Sequence, residues 1–257
     1  MSTLETIKQL RERTGAGMVD CQKALAATNG DMTAAIDQLR KQGLEKAGKK
    51  AERSTAEGVI AVAKNAAAVA VVGLACETDF VARNADFVVA AQTLSDQLLA
   101  SGDVAAFSPV ANQKITGELM VKIGENMKLA CADYVTGANV GSYLHSNQKI
   151  AAVVALSGGS ADLAADLAMH VAASAPQYLA GADVPAEVVA KEREIYAEQM
   201  AGENKPAEVL VKIIDGKLNK FYAEVCLVKQ PFVKDDSQTI EQLLGDVKVE
   251  KFARYQI

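Results

Sequence analysis

The chain has 257 residues, 50% of them hydrophobic, and a formal net charge of -5, enough for a sizeable core and more than one domain and against a nucleic-acid binder driven by bulk charge. Aromatics make up 5% and tryptophan is absent, so Ala, Val, Leu and Ile must fill the interior. Cys21, Cys76, Cys131 and Cys226 are far apart and, with His145 and His170, show no paired ligand spacing, which excludes a typical structural zinc site.

Residues 1–43 read as three short helices. Ser2 and Glu5 have capping-box spacing, and Leu4, Ile7 and Leu10 form an apolar stripe. Thr14-Gly15-Ala16-Gly17 breaks that helix; Met18, Cys21 and Leu25 line a second, which stops at Asn29-Gly30. Asp31 caps a third carrying Ala35, Ile36 and Leu39, closed by Gly43. Residues 44–57, with Lys46, Lys49, Lys50 and Arg53, read as a basic linker, helical in its first half. The ordinary reading of such a run is a solvated face rather than a phosphate site.

An internal duplication follows, dividing the rest into a lobe at 58–140 and a second at 141–257. Gly58-Val59-Ile60 leads through a turn near Asn65 to an apolar strand at 68–75, then to a helix carrying Phe87, Ala91, Leu94 and Leu98. Gly141-Ser142-Tyr143 leads through Asn147 to a strand at 150–156, then to a helix carrying Leu163, Leu167 and Val171. Val121-Lys122-Ile123 precedes a strand around Cys131, and Val211-Lys212-Ile213 precedes an expected strand at 221–228. Each half reads as hairpin, helix, helix, strand, giving an α+β fold with two related lobes. The second lobe also carries a helical hairpin at 185–218, opened by Pro185 and turned at Gly202-Glu203-Asn204-Lys205-Pro206. A short helix at 239–244 and a closing strand at 247–255 complete the order.

The start Met1-Ser2-Thr3-Leu4-Glu5 lacks a signal peptide's apolar core, and no apolar run approaches the roughly 20 residues of a membrane helix. A cytoplasmic protein with reduced thiols is expected. Cys76 with His145 or His170 would be the candidate thiol-imidazole pair, yet Cys76 ends an apolar run and His170 lies within a helix, so both read first as packing residues. Gly15-Ala16-Gly17 lacks the preceding strand, third glycine and Lys-Ser/Thr of a phosphate loop. The acids Glu77, Asp79 and Asp86 show no general acid and base pairing. No cofactor is expected. One segment does stand out: Cys76-Glu77-Thr78-Asp79-Phe80-Val81-Ala82-Arg83-Asn84 places Phe80 and Val81 on a polar strand-to-helix turn, with Asn84 capping a helix to about residue 100. Such a tip suggests burial by another protein.

That segment resembles a signature of the translation elongation factor Ts family. Leu10-Arg11-Glu12-Arg13-Thr14-Gly15-Ala16-Gly17-Met18-Val19-Asp20-Cys21 resembles the family's amino-terminal signature. Lys122-Ile123-Gly124-Glu125-Asn126, Met169-His170-Val171-Ala172-Ala173-Ser174 and Gln230-Pro231-Phe232-Val233 resemble further blocks in the expected order. The resemblance implies a ubiquitin-associated-like bundle, a two-lobed core and a helical-hairpin insertion. It implies a guanine-nucleotide exchange factor, without covalent chemistry, for elongation factor Tu in its GDP-bound and nucleotide-free forms. By resemblance Thr78, Asp79, Phe80 and Val81 would disturb the partner's magnesium site, and Leu10, Met18, Val19, Ile123, Gly124 and His145 would supply further contacts. Self-association through the hairpin is a further expectation; membrane and direct nucleic-acid partners are not expected. Many members continue into a carboxy-terminal helix that touches the partner; this sequence stops at Tyr255-Gln256-Ile257, and any affinity drawn from that helix is expected either to be missing or to belong to a stretch cut away from this chain. The alternative, from another class, is an adaptor whose bundle binds peptides or ubiquitin-like partners, and a thiol enzyme using Cys76 ranks third.

Overall fold

Apolar side chains at helical spacing build the opening bundle of α1 (Leu4–Thr14), α2 (Met18–Ala27) and α3 (Met32–Lys50), with Ile7, Leu10, Cys21, Leu25 and Leu39 in its core. Asp31 caps α3 by accepting from the Thr33 and Ala34 N–H groups at 2.8 and 3.1 Å. Gly43 does not close that helix. The following residues are good helix formers and carry it to Lys50. Gly43 permits close approach instead, since a Cβ there would lie 2.4 Å from Val121 Cγ1.

The computed structural model describes residues 4–50, 52–200, 202 and 206–257. Ser2 of the expected capping box and Glu203-Asn204-Lys205 of the expected turn lie outside them, as do the side chains of Lys46 and Lys49 from the basic run. The chain divides into two compact units. The first comprises Met1–Tyr134, Leu144–Ala151 and Tyr255–Ile257; the second comprises Val135–Tyr143 and Ala152–Arg254.

In the first unit, β1 (Glu57–Lys64) and β2 (Ala68–Cys76) form an antiparallel hairpin, and β3 (Met127–Thr136) completes the sheet in the order β1-β2-β3. Asn65 makes the hairpin turn, its Oδ1 accepting from the Ala67 and Ala68 N–H groups at 2.9 Å each. β2 is buried along its whole length, which is why its sequence is an unbroken apolar run. The single helical turn α4 (Asp79–Ala82) leads into α5 (Ala85–Ser101), which Asn84 caps by accepting from the Asp86 N–H at 2.8 Å. Phe87, Ala91, Leu94 and Leu98 of α5 are buried, and the Ser95 hydroxyl donates to Ala70 O at 3.1 Å. α6 (Val104–Lys114) runs through a π-helical turn (Ile115–Leu119) into α7 (Met120–Ile123), which ends at Gly124 with φ 88°.

The later half of the chain repeats the pattern: β4 (Asn139–Leu144), β5 (Ile150–Leu156) and α8 (Ala161–Ser174), then α9 (Ala186–Met200), α10 (Ala207–Val225), β6 (Pro231–Phe232), β7 (Asp235–Thr239), α11 (Ile240–Leu244) and β8 (Val249–Gln256). Its larger sheet has the order β4-β5-β8. One expectation fails here. Residues 221–228 form no strand: α10 continues to Val225, and a 3-10 turn follows at Leu227–Lys229. The structural counterpart of β3 is β8, so the repeat is interrupted by the α9–α10 pair and the β6–β7 ribbon before its last strand. α9 and α10 pack side by side through Arg193–Asp215 at 3.1 Å and the Lys217 ammonium, which donates to Gln199 at 2.9 Å. The fold is α+β, and no helix among the described residues is long and apolar enough to cross a membrane.

Candidate functional site

The segment singled out in the sequence, Thr78 to Val81, lies in the first unit on α4. Thr78 starts this helical turn: its backbone is extended at φ -125°, and its Oγ1 accepts from the Val81 N–H at 3.4 Å. Asp79 and Arg83 pair at 3.1 Å across the turn. Phe80 projects outward and is 83% exposed, whereas Val81 is half-buried against the core beneath β2 and α5. The apolar pair therefore splits into one side chain that anchors the turn and one that leaves it. A ring this exposed contributes little to its own fold, and nothing in the local packing accounts for it.

A second segment is locked to this turn from 48 residues away. Glu125 Oε2 accepts from the Glu77 and Thr78 N–H groups at 3.1 Å each, and its Oε1 accepts from the Thr78 hydroxyl at 2.6 Å. In return Glu77 Oε1 accepts from the Asn126 N–H at 2.7 Å. Arg53 lies 3.3 Å from the other Glu77 oxygen, and the Asn126 amide donates to Arg53 O at 2.7 Å. The hydrogen bond from Asn126, with Arg53 beside it, holds the Glu77 carboxyl below its ordinary pKa. Lys50 donates to Gly124 O, so the carbonyl left at the end of α7 is satisfied by the end of α3. Thus Lys50 and Arg53 of the expected basic linker are engaged in fixing this region.

The expected contact residues distribute unevenly. Ile123 is half-buried against the core and Gly124 is exposed at the left-handed end of α7. His145 is exposed in the turn after β4. Its neighbours Ser146, Asn147, Gln148 and Lys149 line a cavity of about 430 Å³ together with Glu57, Asp79, Ala82 and Arg83. That turn is tied to β1 by Gln148 O, which accepts from the Ile60 N–H at 2.7 Å, and by the Lys149–Glu57 ion pair at 2.5 Å. Met18 and Val19 are 46% and 61% exposed at the start of α2. Met18 thus does not line the bundle's interior as expected. Leu10 must be corrected as well: it is 0% exposed, because its helical stripe faces the bundle core, and it has no surface to offer a partner.

The candidates for covalent chemistry are structural. Cys76 is fully buried, and burial together with the nearby Glu125 charge pushes its thiol up to about 11, far from a thiolate at neutral pH. Its Sγ donates to Thr78 O at 3.2 Å. His170 is buried within the second unit, with Nδ1 accepting from the Val233 N–H at 3.2 Å and Nε2 lying 2.9 Å from Gln230 Oε1. With Nδ1 accepting, Nε2 carries the proton and donates, and burial keeps the ring neutral by lowering its pKa. No group of three metal-ligating side chains occurs among the described residues. The reciprocal hydrogen bonds of Glu77 and Glu125 join segments 48 residues apart, and no local sequence signal marks them.

A family model described as "Elongation factor TS" matches residues 77–257, a span that opens at the clasped turn. The chain is 42% identical to "Elongation factor Ts" of Deinococcus radiodurans over 99% of both chains. It is 43% identical to the protein of that name from Hydrogenovibrio crunogenus, covering 99% of this chain and 91% of the relative, and 44% identical to that of Thioalkalivibrio sulfidiphilus, covering 99% and 92%.

Proposed function

The chain belongs to the elongation factor Ts family, and on that premise we propose that it accelerates GDP release from elongation factor Tu, with Phe80 as the inserted wedge. The observation that carries this reading is the 83% exposure of Phe80 on a helical turn whose base is fixed by Thr78, Val81 and Glu125. A rigid turn presenting one free aromatic ring can enter a partner's surface with little ordering cost. Exchange needs no nucleophile. It needs coupling: a surface that binds the nucleotide-free partner better than the GDP-bound partner lowers GDP affinity by the same factor.

Magnesium is the lever in this proposal. The ion demands near-ideal octahedral geometry at short distances, so small shifts of the partner elements that hold it weaken phosphate binding. Phe80 supplies the displacing volume, and burying its ring contributes roughly 1.5–3 kcal/mol to the complex. Asp79, half-buried and paired with Arg83, places a carboxylate beside the ring. The exposed Met18, Val19, Gly124 and His145 supply further contacts on this reading.

The test is release of a fluorescent GDP analogue from elongation factor Tu on addition of the purified chain. Acceleration that grows with chain concentration supports the reading. Release at the spontaneous rate, with a folded chain and active partner, would refute it.

A further inference from the structure

Glu77-Thr78 and Glu125-Asn126 exchange carboxylates: each segment's backbone N–H groups are bound by the other segment's side chain. The Glu125 carboxylate receives both amides that precede α4 and also the hydroxyl of the residue that caps it. Without it, two N–H groups at the root of the turn would need water, and Thr78 would lose the partner that orients its hydroxyl. Cys76 and Val81 fix the two sides of the turn by packing, but the Glu77-Thr78-Asp79 stretch between them is polar and depends on hydrogen bonds for its orientation.

We propose that Glu125 is the positioning residue for the Phe80 turn, holding it at one angle to the sheet so that the ring meets the partner pre-oriented. Glu77 completes the clasp by holding the Glu125–Asn126 segment in place through the Asn126 N–H, with Arg53 behind it. The clasp also joins the α4 turn and the Gly124 end of α7 into one body, so two separated stretches of the contact surface move together. This inference rests on the exchange reading and goes beyond it, since Glu125 need not touch the partner to act. The depressed pKa of Glu77 keeps its half of the clasp ionised throughout the neutral range.

The experiment combines amide hydrogen exchange on the free chain with a double-mutant cycle on GDP release. Loss of charge-assisted hydrogen bonds to Glu125 should speed exchange of the Glu77 and Thr78 amides roughly 10- to 100-fold in Glu125→Ala, with the midpoint of global unfolding little moved. GDP release should slow by about tenfold in Glu125→Ala. On a Phe80→Ala background the same change should slow it less than about twofold, because a residue acting through the ring has nothing left to orient. Glu125→Gln, which keeps the length and removes the second acceptor oxygen, carries the same cycle should the alanine variant fail to fold. Equal factors in both backgrounds, or unchanged exchange of the two amides, would overturn the positioning role while leaving the exchange reading standing. A Phe80→Ala chain that releases GDP at the full rate would remove the wedge role of Phe80, and this inference with it, while leaving exchange itself standing.

Discussion

Replacing Phe80 by alanine separates a partner-facing ring from a packing residue by magnitude. At 83% exposure, about a sixth of the residue is shielded in the free chain, so truncation removes only about 0.3–0.5 kcal/mol of folding free energy at the usual value for a buried aromatic. Alanine's higher helix propensity within α4 offsets part of that. The expected change in melting is therefore about 2 °C or less. An internally packed phenylalanine would instead cost about 3–5 kcal/mol and roughly 10 °C. On the proposed function the ring's remaining surface is buried in the complex, and its loss should slow GDP release roughly ten- to a hundredfold. The assay pairs thermal unfolding with stopped-flow release of a fluorescent GDP analogue from elongation factor Tu, at ordinary magnesium and with the ion chelated. The defect should shrink on chelation, because the ion that the ring is proposed to displace is already gone. A folded Phe80→Ala chain with full activity, or one that melts 10 °C early, refutes the reasoning.

Three further outcomes are expected. Gly141→Ala should strongly destabilise the second unit, by about 3 kcal/mol or more, since its Cβ would lie 2.1 Å from the backbone of Ala164 and Ala165; calorimetry showing an unchanged transition would contradict this close packing. His170 is held neutral with a pKa below its ordinary 6.5, so its contribution is fully present above that value and fades as pH falls toward the depressed native value; melting should drop as pH falls below 6.5, and His170→Gln should flatten that drop, which an identical acid limb would disprove. Replacing the outer parts of α9 and α10, about residues 190–215, by a short Gly-Ser link should leave most GDP-release activity, because these helices belong to the second unit and Phe80 to the first; near-complete loss in a folded variant would show that the hairpin takes part.

Local chemistry made most elements legible. Asn65, Asn84 and Asp31 each accept the backbone bonds that their positions suggested, and the buried runs of β2 and β5 read directly as central strands. What failed was a choice between periods. Residues 221–228 mix Phe, Tyr, Val and Leu in a way that suits a strand, yet α10 carries the helix through Val225, and the third strand of the sheet comes from 249–256. Gly43 misled for a related reason: glycine signals a helix stop by conformation, but here it serves contact with Val121. At the site, the exposed Phe80 was legible because a large aromatic between Asp79 and Arg83 has no sequence-local core to join. The carboxylate clasp was not, since Glu77 and Glu125 meet only through tertiary structure.

The first unit is discontinuous in the chain. Residues 144–151 and 255–257 join it from later in the chain: the Ile257 N–H donates to Lys149 O at 3.0 Å, the Tyr255 hydroxyl to Asp133 at 2.6 Å, and Ile257 lies where Gly58 and Gly73 leave room for it. On the ribosome, then, the lobe that emerges first stays unfinished while more than a hundred later residues are made. The β4–β5 turn that bonds β1, and the lobe's last hydrogen bonds, arrive only with later parts of the chain, so the folding of the Phe80-bearing lobe closes late. A nascent chain stalled near residue 134 would carry the bundle, the first hairpin and the clasp residues, yet lack the segments that seal them, and it should be the more readily cleaved by protease for it.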